Sequence, residues 1–195
     1  MIVPVRRAAK LLAGFAFLAA SGCGHMPVSS MVKLARIDFR TTDPERLRVA
    51  VKLPQALKAR AEGTVLRITV RLANGVEESR DFSLREVDER DALAAEVDAG
   101  PEITTFAIAT RDAAELRLFR AALIAKQKGG SGGALTIAVK PDACRTAPLP
   151  SGPVMFSTYL RTAETNAYVP LARDVDLRRV DPNQDVAAKI LACRG

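Results

Sequence analysis

Three cysteines, one histidine and two tyrosines are the sparse reactive side chains of this 195-residue sequence. Cys23 stands directly behind three small residues, Ala20, Ser21 and Gly22. Cys144 and Cys193 make an even remainder, which suits a disulfide in an oxidising compartment and otherwise means two separate buried thiols. The one histidine, His25, lies beside Cys23 and away from the patterned part of the chain. A Ser–His–Asp or Cys–His site therefore has no base to build on. No spacing supports Ser–Lys or carboxylate-pair chemistry, since Glu77-Glu78 and Asp88-Glu89-Asp91 read as solvated turns and loops. Asp174, Asp176, Asp181 and Asp185 supply oxygen ligands, but Arg178 and Arg179 sit among them, which spoils a calcium loop. The glycine run 129–133 lacks the Lys-Ser/Thr of a phosphate loop and reads as a connector. No catalytic residue, metal ligand or cofactor is assigned.

Two groups of residues could bind rather than react. Tyr159, Arg161 and Tyr168 belong to a C-terminal hairpin, and tyrosine and arginine are the types that dominate interface hot spots. A four-residue loop, 162–165, puts all three on one face; a five-residue loop separates them, because a one-residue shift reverses the side. The alternative is a hairpin whose tyrosines belong to the core. The second group is basic. Arg36 and Arg40 would share the outward face of one strand, and Arg48 and Lys52 that of its neighbour, a patch able to rest on anionic lipid headgroups. Otherwise this is an ordinary solvated face.

The N-terminus carries an address. Arg6, Arg7 and Lys10 precede an uncharged run from Leu11 to Ala20, which suits a signal-peptide core and is too short to span a bilayer. Together with Ala20-Ser21-Gly22-Cys23, this resembles the lipobox of bacterial lipoproteins. The resemblance implies cleavage before Cys23 and acylation of that cysteine. Gly24 after the cysteine, in place of Asp, implies the outer membrane, facing the periplasm. Several acyl chains would hold the protein there almost irreversibly. An ordinary secretory signal cut nearby would instead leave Cys23 as a free thiol, and the apolar run could also be a buried helix. The runs Ser157-Thr158-Tyr159-Leu160-Arg161-Thr162 and Asp174-Val175-Asp176-Leu177-Arg178 are similar to stretches in uncharacterised bacterial lipoproteins, and no activity comes with that likeness.

The elements that must position these residues are mostly strands. Residues 1–22 form the signal peptide, 23–31 a flexible tether and 32–195 one domain. Ala35, Ile37 and Phe39, then Leu47 to Leu53, alternate with polar residues and predict two strands joined at Asp43-Pro44. Leu66 to Leu72, Asn74-Gly75 and Val76 to Leu84 spell a hairpin. Arg85 to Glu96 reads as a loop or short helix, and Ile103 to Ala109 as a strand. Leu116, Phe119 and Leu123 recur at helical spacing, so one helix is predicted over 111–128. Leu135 to Val139 is a further strand. The last hairpin has strands 154–161 and 167–171, and Asp181-Pro182 opens a short C-terminal helix. The fold class is mainly β: an antiparallel β-sandwich of about eight strands, one long inserted helix and a short C-terminal helix.

The formal charge of the chain is +7, and without the three basic residues of the signal about +4 remains. There is no basic run interleaved with aromatics, so nucleic acid is not expected as a partner. The composite expectation is a non-catalytic binding or scaffold module, held at the membrane by N-terminal acyl chains and presenting one face to an envelope protein. Its architecture looks like that of the small lipoprotein of the type VI secretion membrane complex, which would make it an accessory of such a complex. A carrier of a small apolar or lipid ligand is the alternative from another class, and it requires an enclosed apolar cavity of several hundred Å³.

Overall fold

A computed structural model describes residues 27–89, 91–93, 101–126 and 133–194. Two helices, α1 (Val28–Leu34) and α2 (Thr110–Lys126), accompany seven strands: β1 (Arg48–Leu53), β2 (Leu57–Leu72), β3 (Glu77–Val87), β4 (Glu102–Ile108), β5 (Gly133–Arg145), β6 (Met155–Arg161) and β7 (Val169–Asp176). All strands join one sheet in the order β5-β2-β3-β4-β1-β6-β7, and every pairing is antiparallel. The fold is therefore mainly β, with seven strands among the described residues against about eight expected.

The β2–β3 hairpin forms where Asn74-Gly75 predicts it. Gly75 takes φ +84°, which its missing Cβ permits. Asn74 Oδ1 accepts from the Val76 amide, and Leu72 and Val76 close the turn at 2.7 Å. The outward face is stitched by cross-strand polar pairs: Arg67 grips Asp81 with two bonds of 2.6 and 2.7 Å, and Thr69 meets Ser79 at 2.9 Å. Residues 77–83 of β3 pair with β2, whereas 84–87 pair with β4. The strand thus changes neighbours halfway along its length.

The main core lies between the sheet and α2. Leu66, Ile68, Phe82, Phe106, Val49, Val51 and Leu160 are buried there with Leu116, Phe119 and Leu123 of α2. The Phe82 and Phe119 rings sit 6.0 Å apart, and the Arg80 guanidinium lies 5.2 Å over Phe119. Arg120 fastens α2 to the preceding segment by donating to the carbonyls of Thr42 (2.7 Å) and Phe39 (3.3 Å). α2 begins at Thr110, and positions 127–128 of the predicted helix, like 129–132 of the glycine-rich run, lie outside the described residues.

Three expectations are corrected. The strand predicted over Ala35 to Phe39 does not form. Val28–Leu34 is helical, and 38–42 is a turn in which the Asp38 carbonyl accepts from the amides of Thr41 (3.0 Å) and Thr42 (2.9 Å). Ile37 and Phe39 still pack against the core, so their alternation records burial, not a strand. The C-terminal helix is also absent among the described residues, apart from one 3₁₀ turn, Ala187–Lys189. The tail runs beside β5 instead: the Arg145 amide donates to Leu191 and the Cys193 amide to the Arg145 carbonyl. That pairing sets Cys144 beside Cys193, and they form a disulfide across 49 positions. Finally, β3 extends to Val87, three residues into the stretch read as a loop or short helix, while 91–93 do form a 3₁₀ turn.

Candidate functional site

Strand alternation sends Val49, Val51 and Leu53 of β1 into the main core and turns Arg48, Ala50 and Lys52 to the opposite face. Register then places β6 beside them: Arg48 opposite Arg161, Ala50 opposite Tyr159, Lys52 opposite Ser157. Like charges directly across a sheet repel. Here Glu89, just beyond β3, lies between the two arginines. Its Oε1 accepts from Arg48 Nε at 2.8 Å and its Oε2 from Arg161 Nη2 at 2.6 Å. Arg48 Nη1 also donates to the carbonyls of Glu45 (2.7 Å) and Leu47 (3.0 Å). The Glu89 amide donates to Thr105 Oγ1, whose hydroxyl donates in turn to Val87 O. Carboxylate and guanidinium groups are each about a quarter exposed, so they are held firmly but remain reachable.

Tyr168 stands beside this clamp. The Arg161 guanidinium lies 5.2 Å from its ring centroid. The β6–β7 loop spans 162–168, Tyr168 included, longer than either predicted length, and the strands carry two register shifts. Thr162 and Thr165 brace it through reciprocal backbone-to-hydroxyl bonds of 2.9 and 3.3 Å, and Asn166 takes φ 48°. Tyr159 lies opposite Pro170, and Leu160 opposite Val169, which leaves Tyr159, Arg161 and Tyr168 on one face. Tyr159 is only 1 % exposed, packed with Ala50, Leu93 and Ile103 in a second, smaller core. Arg161 and Tyr168 are the accessible part of the predicted trio.

The Tyr168 hydroxyl is buried without a hydrogen-bond partner among the described residues. Burial is the chief reason its ionisation is pushed up to about 12; Arg161 opposes the shift and Glu89 adds to it. The folded state then keeps a proton that the unfolded chain releases near 10.0. Stability carried by Tyr168 is complete below pH 10 and declines as pH climbs towards 12. Tyr168→Phe removes a hydroxyl whose desolvation is uncompensated, so a gain of about 1 kcal/mol is expected. Phenolate absorbance should meanwhile lose one transition near 12. A stability loss of similar size would mean that the hydroxyl has a partner.

The predicted basic patch is not continuous. Arg36 and Arg40 follow α1 in turns rather than on a strand, and Arg48 is engaged in the Glu89 clamp. Lys52 does share the Arg48 face of β1. Asp176 is structural: its Oδ1 accepts from the amides of Val154 and Arg178, both at 3.0 Å, and these bonds, that from Arg178 foremost, hold its carboxyl below the usual range. Asp185 binds Arg178 Nη1 at 2.7 Å. No group of three or more metal-ligating side chains occurs among the described residues. Cys23 and His25 lie outside them. Glu89 is the residue that sequence reasoning missed. Its only signal is the pair of arginines that face each other once β1 and β6 are in register. No family model, curated protein or solved structure matches this chain.

Proposed function

We propose that this chain is a lipid-anchored, periplasm-facing envelope protein of the outer membrane. It is a non-catalytic binding module that presents the Arg161–Tyr168 surface to a protein partner. The observation carrying this reading is the Glu89 clamp. It fixes two cross-strand arginines on their strands and holds the loop residue Tyr168 against Arg161, which lowers the ordering cost of docking. Both Glu89 oxygens are occupied by guanidinium groups. The anchor rests on the sequence Ala20-Ser21-Gly22-Cys23.

We infer further that the sheet is folded over as a sandwich. The change of neighbours within β3 turns a layer of β5, β2 and the first half of β3 towards a layer of β4, β1, β6 and β7. Such an architecture keeps the type VI-like accessory role open as one setting for the binding module. The carrier alternative would place its ligand either in an open cleft of about 330 Å³ lined by Leu53, Ala143, Leu177, Ile190 and Leu191 or beneath α2. The cavity between the sheet and α2, lined by Ile37, Phe39, Ile68, Leu116 and Leu160, holds about 20 Å³, room for roughly one water molecule and far less than an acyl chain needs.

A photo-cross-linking residue at Ala167, exposed in the β6–β7 loop, tests the surface in living cells. One discrete protein adduct is expected, and Arg161→Ala should abolish it. An adduct pattern no different from that of a cross-linker at Leu118 on α2 would defeat the proposal.

A further inference from the structure

The helix nearest the proposed anchor is inverted. In α1, Ser30 is 1 % exposed and faces the protein, alongside the half-buried Leu34. Val28, Met31 and Val32 face outward at 76, 48 and 61 % exposure. Their spacing of i, i+3 and i+4 makes them one stripe. A surface helix ordinarily turns its apolar stripe to the core and its serine to water. The exposed Lys33 falls on an adjoining side of the helix, the exposed Arg36 follows in the turn after it, and Pro27 to Ile37 contains no acidic residue.

We propose that this stripe is a second, non-covalent membrane contact: α1 lies in the headgroup boundary of the bilayer that holds Cys23. The inference rests on the anchor reading and extends it. Five residue steps separate Cys23 from Val28. At about 3.5 Å per step, the bilayer surface can stand no more than roughly 18 Å from the stripe. Tethering makes insertion effectively intramolecular, so a short stripe suffices where a free helix of seven residues would not bind. Lys33 and Arg36 would then meet anionic headgroups beside the inserted side chains. Two attachment points also fix orientation. A single acyl anchor lets the domain swivel, whereas an embedded α1 sets which face of the sheet points away from the membrane.

The chain contains no tryptophan, so Met31→Trp creates a single reporter on the stripe. Leu118→Trp, at the 71 % exposed position on α2, gives the control. The full-length precursor is expressed, and its membrane-extracted product is reconstituted into vesicles of phosphatidylethanolamine with phosphatidylglycerol. Emission from position 31 should shift to the blue and be roughly halved when the lipid acyl chains carry bromine, as for a side chain at the headgroup–acyl boundary. Emission from position 118 should do neither. Adding Val28→Ser and Val32→Ser should return position 31 to the behaviour of position 118, while the protein still floats with the vesicles. A protein that floats but shows no bromine quenching at position 31, or quenching that survives both serines, overturns the contact and leaves the anchor standing. A product without acyl mass that fails to float overturns the anchor and the contact together.

Discussion

Phe82→Ala should destabilise the domain by about 3–5 kcal/mol, visible as a large drop in denaturant midpoint at unchanged slope. Phe82 is fully buried on β3, opposite Leu66 of β2 and 6.0 Å from the Phe119 ring of α2. Truncation removes one aromatic contact between the helix and the hairpin, and Arg80, stacked over Phe119, stops the helix from collapsing freely into the gap. Phe82→Leu keeps most of the volume and should cost under about 2 kcal/mol. If the alanine variant lost less than about 1 kcal/mol, the packing of α2 against β3 would have to be abandoned.

Replacing Cys144 and Cys193 by alanine should cost about 4 kcal/mol on the chain-entropy account of a loop closed across 49 positions. The tail has other holds: Arg145 Nε donates to the Ile190 carbonyl at 2.7 Å, two backbone bonds run between Arg145 and residues 191 and 193, and Ala187 is fully buried. Comparing midpoints with and without reductant gives the same quantity without mutation. A change below about 1 kcal/mol would mean that these contacts alone keep the tail in place, even in the unlinked chain.

Where local chemistry decides the structure, the sequence reads well. Asn74-Gly75 names its own turn, Leu116-Phe119-Leu123 its own helix, and parity with compartment pairs Cys144 with Cys193. Around Ile37 and Phe39, alternation misleads. A loop pinned to the core at every second residue writes the same pattern as a strand, and the Asp38 turn bonds that decide between them are invisible to hydropathy. Asp181-Pro182 is a sound helix start, yet pairing with β5 draws the tail out and leaves one 3₁₀ turn. The hairpin of Tyr159 and Tyr168 depends on a seven-residue loop braced by Thr162 and Thr165 and on two register shifts, which no period reveals. Glu89 looks like any loop acid until its two arginines are brought together across β1 and β6.

The position of β1 governs how the sheet must assemble. Its neighbours β4 and β6 come from far along the chain: Arg48 sits beside Ala107 on one side and Arg161 on the other. The β2–β3 hairpin closes over a few residues and can form early, but the centre of the sheet waits for loops of tens to a hundred positions, the slow kind of closure. A chain that emerges N-terminus first therefore carries β1 with both edges unpaired until β4 arrives, and with one edge still open until β6 follows in the C-terminal third. Through that interval Val49-Ala50-Val51 is an open apolar template on which a second copy could pair, so crowding during folding, more than any weakness of the finished fold, is the hazard this topology brings.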